Sequence, residues 1–173
     1  MPITPDTKDW TWVLERPCSE CGFNARDYPT IEFATTIRQN AATWLQVLAR
    51  NDARDRPSDV QWSDLEYACH VRDVYRVFDQ RLAMMLRDDD PLFQNWDQDE
   101  TALAEHYELQ DPLIVGVELV NAANDFADRY DSLTSDQWER SGRRSNGSRF
   151  TVASLGSYCL HDLRHHLWDV DAT

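Results

Sequence analysis

Glycine is scarce, with five in 173 residues, against the ~7% of average usage that turn-rich β folds draw on. No stretch approaches the ~18 consecutive apolar residues of a membrane span. The first twenty residues hold no basic segment followed by an apolar one, so no secretory signal is expected. Positive charge is also short: 17 Lys+Arg stand against 31 Asp+Glu, a formal net charge of −14. A surface of that sign repels phosphate backbones, and no basic stripe interleaved with aromatics occurs, so nucleic acid and anionic membranes are expected not to be partners. The expected location is cytoplasmic, where the four cysteines read as free thiols, metal ligands or redox groups before a disulfide framework.

Several enzyme signatures are missing as well. There is no G-x-S-x-G, P-loop, dinucleotide fingerprint or H-E-x-x-H, which removes the common hydrolase, NTPase, Rossmann and metalloprotease routes. No Glu precedes a His by three, which removes the di-iron carboxylate bundles. What is present is a globular composition, 42% hydrophobic and 11% aromatic with seven Trp, on a chain long enough for one compact domain without covalent staples.

Segment 1–29, with Pro2, Pro5, Pro17 and Pro29, Trp10, Trp12 and a Cys18-x-x-Cys21-Gly22 turn, reads as an irregular arm packed by its aromatics. From Thr30 to Arg50 apolar residues return at Ala34, Ile37, Ala41, Trp44, Leu45 and Leu48, the spacing of an amphipathic helix. Ser63 stands three before Glu66, a capping box that opens a second helix with the stripe Tyr67, Val71, Val74, Phe78, Leu82 and Met85. Asp88, Asp89, Asp90 and Pro91 stop it, since acids at a helix C-terminus oppose the macrodipole. A long connection with a short helix near Glu100–Tyr107 follows, then Asp111 and Pro112 open a helix to about Tyr130. Asn146-Gly147 predicts a small β-hairpin with a two-residue turn, and Thr151 caps the last helix, Val152 to about Trp168. Four long helices define an all-α four-helix bundle over residues 30–173, and the long link and the hairpin permit parallel neighbours.

His161 and His165 stand at i, i+4, so both imidazoles share one helical face and can chelate one ion. On spacing alone the pair is equally a surface accident or a helix-end charge device. His70, about 40° from the inward Val74, is the best third ligand, and three imidazoles with an open position suit Zn²⁺ or Ni²⁺. Glu66, four residues before His70, and Asp73, three after it, are candidates to orient its ring, although capping and solvated charge explain both. His106 and His166 read as surface residues. Cys18 and Cys21 read as half a zinc site or a redox dithiol, and Cys69 and Cys159 as small core residues. Tyr158 and Trp168 share the His161 face and are candidates to wall a pocket, and Arg143 or Arg144 on the hairpin to meet a substrate carboxylate.

Trp62-Ser-Asp-Leu-Glu-Tyr-Ala-Cys-His70, joined to His161-Asp-Leu-Arg-His165-His166 on the last helix, resembles the DinB-like (DinB/YfiT) superfamily, in particular its actinobacterial branch related to mycothiol-dependent maleylpyruvate isomerases. The resemblance spans about residues 30–170. It implies an up-down-down-up bundle and a divalent metal, zinc or nickel, on three histidines that map to His70, His161 and His165. It also implies a metal-dependent S-transferase or isomerase that takes a low-molecular-weight thiol such as mycothiol and a small-molecule electrophile. A homodimer is allowed by the same analogy. The rival reading is a non-catalytic, stress-related bundle that binds a metal or a small ligand.

Overall fold

The computed structural model describes residues 10–173, and Pro2 and Pro5 of the arm lie outside the described residues. Helix α1 (Phe33–Leu48) is preceded by a 3-10 turn, Thr30–Glu32, so the regular helix starts three residues after its expected start. Helix α2 (Asp64–Arg87) opens on the capping box foreseen from Ser63 and Glu66. At its far end Arg140 donates to the carbonyls of Met85 and Asp88 (2.8 Å to the latter). A guanidinium thus satisfies the orphan carbonyls that the Asp88–Asp90 run could not. Helix α3 (Gln98–Ala104) is capped by Asp97 and ends before a left-handed His106 (φ 49°), so it is shorter than Glu100–Tyr107 suggested. Asp111 accepts from the Leu113 amide to cap α4 (Pro112–Asp131), and Thr151 and Ser154 form a capping box on α5 (Val152–Asp169).

The directions of the four long helices follow from their side-chain pairs. Arg38 at the start of α1 meets Asp131 at the end of α4 (2.9 Å), so these two run antiparallel. Arg72 meets Glu118 (2.8 Å) and Arg129 meets Asp79 (2.5 Å), so α2 and α4 run parallel. Asn40 Nδ2 donates to the Leu163 carbonyl (2.9 Å), and one turn or two earlier Phe33 lies on Gly156, so α1 and α5 are parallel. His70 against His166 and Phe78 against Tyr158 set α2 and α5 antiparallel. The result is the up-down-down-up order, with α4 and α5 each packed on both α1 and α2. Trp44, Tyr75, Phe126, Leu119 and Leu155 fill the centre and are fully buried. A Cβ at Gly156 would run into the Phe33 ring and the Tyr130 hydroxyl, so the close approach of α5 to α1 and α4 requires glycine there.

The hairpin pairs β1 (Ser141–Arg143) with β2 (Arg149–Thr151), antiparallel, with Gly142 opposite Phe150. Its turn departs from the two-residue form. Arg144 N–H donates to the Ser148 carbonyl (2.9 Å) and Gly147 N–H to the Arg144 carbonyl (3.0 Å), which closes a three-residue loop with Gly147 at φ 92°. β1 is also tied to the exit of α2, through Phe93 N–H to the Arg143 carbonyl (2.7 Å). In the arm, two 3-10 turns, Thr11–Leu14 and Ala25–Asp27, lie against α5. Val13, Cys18, Cys21 and Phe23 join the common core. No helix among the described residues is long and apolar enough to cross a membrane.

Candidate metal centre

Successive residues on a helix point about 100° apart, so α5 carries two neighbouring polar stripes, His161 with His165 and Asp162 with His166. The bundle turns the second stripe to α2. There the rings of His70 and His166 meet edge to face with centroids 4.7 Å apart, and His166 Nε2 lies 2.8 Å from Asp162 Oδ1. His70 Nε2 is 3.8 Å from that same oxygen, too long for a hydrogen bond. One ligand atom from each of His70, Asp162 and His166 lies within 4.8 Å of the others. The first stripe faces the arm, where His161 and His165 stand with Cys18 and Cys21. The expected trio of His70, His161 and His165 is therefore split between two clusters. His70 and the i, i+4 pair sit on different sides of α5, because helix phase placed Asp162 and His166 toward α2.

His166 also lies elsewhere than its spacing suggested. Expected at the surface, its side chain is 16% exposed and bridges two carboxylates, with Nδ1 2.8 Å from Asp169 Oδ2. Burial opposes its charge, yet Asp162 and Asp169 raise its pKa to about 9. Asp162 is held below the usual carboxylate range, as His166 and His70 outweigh burial. His70 is lowered by burial. Its two ring nitrogens are buried without a hydrogen-bond partner among the described residues. Trp96 stacks on it at 8° and 5.5 Å, and Trp62 lies at 5.5 Å from its other flank.

The remaining candidates fall as follows. Glu66 is consumed by the capping box and an ion pair with Arg56. Asp73 is held by Arg72 (3.0 Å), Arg76 (3.0 Å) and the Tyr107 hydroxyl (2.5 Å). Neither hydrogen-bonds an imidazole among the described residues, and the carboxylate that orients a ring of this cluster is Asp169. Tyr158 packs between Phe150 and Phe78, while Trp168 is 40% exposed against His165. Arg143 pairs with Asp90 (3.0 Å) and so braces the hairpin. His106 is exposed beside Glu108, and Cys69 and Cys159 are buried, as read from the sequence.

A residue the sequence did not flag is Arg81, three turns along α2 from His70 and on the same face. Its side chain is nearly buried, with the guanidinium over Phe78 (5.3 Å) and Phe93 (5.6 Å). It forms no hydrogen bond or ion pair among the described residues. Burial and the neighbouring Arg144 push its pKa down to about 10. Asp162 and His166 were legible in principle, since a carboxylate and an imidazole at i, i+4 chelate as readily as two imidazoles.

The family model of the DinB superfamily matches residues 34–170, and the chain belongs to that superfamily. Among solved structures it is similar to YfiT from Bacillus subtilis, described as a probable metal-dependent hydrolase with an unusual four-helix bundle topology. That likeness has a TM-score of 0.73 at 17% identity over 83% of this chain and 85% of that one. It is also similar to the mycothiol-dependent maleylpyruvate isomerase, with a TM-score of 0.69 at 12% identity, covering 87% of this chain and 64% of the isomerase. At these identities the likeness is one of fold. No curated protein matches the sequence.

Proposed function

We propose that this chain is a metal-dependent enzyme of the thiol S-transferase or isomerase type, with a divalent ion held by His70, Asp162 and His166. The observation that carries the reading is the His70 ring, buried with both nitrogens unpartnered and next to a carboxylate and a second imidazole. Leaving such groups unsatisfied costs about 1–3 kcal/mol each, and an ion supplies the missing partner. Two imidazoles and one carboxylate suit zinc, nickel and related ions, and three protein ligands leave an open position. An ion bound there supplies Lewis acidity that lowers the pKa of a thiol or water brought to that position.

The chain's own residues do the rest. Asp169 holds His166 through Nδ1, so Nε2 is the nitrogen presented to the centre. The His166–Asp162 contact (2.8 Å) holds a proton that must leave when an ion binds, so binding releases protons. Trp62 and Trp96 keep water from the His70 flank. Arg81, charged and without a hydrogen-bond or ion-pair partner among the described residues, is suited to an acidic group on the substrate, with Arg144 and Tyr158 beside it. The substrates we propose are a low-molecular-weight thiol, mycothiol by analogy with the structural neighbour, and a small electrophile that bears a carboxylate.

The test is elemental analysis of untagged protein beside His70→Ala and His166→Ala, followed by thiol-transfer assays with mycothiol. Metal lost from both variants together with thiol transfer by the wild type supports the reading. An unchanged metal content in the variants, or none at this centre after reconstitution with zinc and nickel, overturns it. Metal without turnover returns the protein to the non-catalytic class.

A further inference from the structure

The cluster on the other stripe of α5 is unexplained by that centre. Cys18, Cys21, His161 and His165 each bring a ligand atom within 4.8 Å of the other three. All four residues are nearly buried, at 2%, 5%, 4% and 9% exposure. All four cysteines of the chain are free thiols, so this pair is not a disulfide. Cys18 Sγ lies 3.8 Å from His165 Nδ1, close to the roughly 3.6 Å edge of a tetrahedron built from zinc bond lengths to sulfur and nitrogen. His161 Nε2 is buried and has no hydrogen-bond partner among the described residues.

The loop around the cysteines is shaped for ligation. Gly22 takes φ 72°, where a side chain would be strained, and its N–H returns to the Cys18 carbonyl (3.0 Å). Cys18 N–H donates to the Phe23 carbonyl (2.8 Å), and the Phe23 amide is directed to Cys21 sulfur. The two thiols are thereby brought to the same side of one tight turn. The outer nitrogen of His165, Nε2, stands 3.4 Å from Glu20 Oε2 and 3.9 Å from Asp169 Oδ1. A carboxylate behind a ligating imidazole fixes the ring and raises its basicity. Trp10 covers both imidazoles, with ring centroids 5.2 Å from His161 and 5.0 Å from His165, and Phe23 closes the His161 side at 5.6 Å.

We infer that Cys18, Cys21, His161 and His165 form a second metal site, a closed Cys₂His₂ site for Zn²⁺ that fastens the N-terminal arm to α5. Two thiolates and two neutral imidazoles around Zn²⁺ make an uncharged unit, which is what an apolar, aromatic-covered position tolerates. Four protein ligands leave no open position, so the ion is structural. The arm gains from such a fastening, since its described residues before Pro29 hold only two 3-10 turns, of four and three residues. Because the site ends on His161 and His165, one residue ahead of Asp162 and His166, it also sets the rotation of α5 that turns Asp162 and His166 toward His70.

Zinc analysis, cobalt substitution and a thiol-specific mercurial test the site on the full-length untagged protein. Cobalt-loaded wild type is expected to show thiolate-to-metal charge-transfer absorption and intense tetrahedral ligand-field bands. Cys21→Ser and His161→Ala should lose or shift these bands, while His70→Ala keeps them. The mercurial should release one equivalent of zinc from wild type and from His70→Ala alike, a readout that needs no folded cysteine variant. A cobalt spectrum without thiolate bands, no zinc released by the mercurial, or a Cys18–Cys21 disulfide in the reduced preparation would overturn the proposal. The His70→Ala comparison separates this outcome from failure of the other centre, since each ion is lost with its own ligands.

Discussion

Glu66 and Arg81 are both nearly buried charges on α2, and the fold treats them in opposite ways. Burial raises the Glu66 pKa, but Arg56 and the Ser63 amide and hydroxyl outweigh it and leave the carboxyl below its ordinary value. A carboxylate lowered in the folded state stabilises above its unfolded pKa and loses that contribution as pH falls through the folded one. Glu66→Gln is therefore expected to cost about 1–3 kcal/mol at neutral pH, and the gap from wild type should close below about pH 4. Urea denaturation at several pH values measures it, and a gap that stays constant with pH would refute the assignment. Arg81 has no such partner among the described residues. Replacing an unpaired buried charge by an apolar side chain is neutral or stabilising, so Arg81→Met should unfold at the same or a higher urea concentration. The same variant should raise KM for a carboxylate-bearing electrophile at least tenfold, about 1.4 kcal/mol. A loss of stability without a change in KM would make Arg81 a packing residue only.

At the scale of elements, the helices are independent in where they begin and dependent in how they are rotated. Capping boxes at Ser63 and Thr151 and the Asp111-Pro112 start are local chemistry, which explains why these boundaries were readable. The rotation of α5 comes from contacts far away in the chain. Gly156 lets α5 close on Phe33 of α1 and Tyr130 of α4. Alanine there gains about 1 kcal/mol of helix propensity but intrudes on a ring that is 1% exposed and cannot swing away. Gly156→Ala is expected to lose about 1–2 kcal/mol net, read as a lower denaturation midpoint with an unchanged m-value. It should also weaken metal retention at the proposed centre of His70, Asp162 and His166, since the latter two depend on the phase of α5.

For the whole molecule, the two proposed metal sites would link metal to stability. An ion that binds only the folded chain stabilises it by about 2.7 kcal/mol when free metal is a hundredfold above Kd. For a chain of this size that corresponds to roughly 5–10 °C in Tm. Thermal unfolding with zinc should therefore exceed that after prolonged chelation by about this margin. His161→Ala should lose most of the difference and His70→Ala less, because the first also releases the arm. Equal Tm values with and without metal would show that neither ion contributes to the fold.

The sequence by itself determined the helices, their caps, the hairpin and the inward position of His70, because capping, turn chemistry and 3.6-residue periodicity act within one element. Family membership was legible too, from the Trp62–His70 segment and the histidines of α5. Only the tertiary structure decided which α5 stripe meets which partner. His161/His165 and Asp162/His166 have the same spacing and lie about 100° apart, and periodicity cannot tell which one faces α2. That choice rests on packing between residues more than a hundred positions apart, such as Cys18 with His165 and Asn40 with Leu163. The same long-range packing brings the Cys18-x-x-Cys21 turn to two imidazoles that no local pattern connects with it, and buries Arg81 between Phe78 and Phe93.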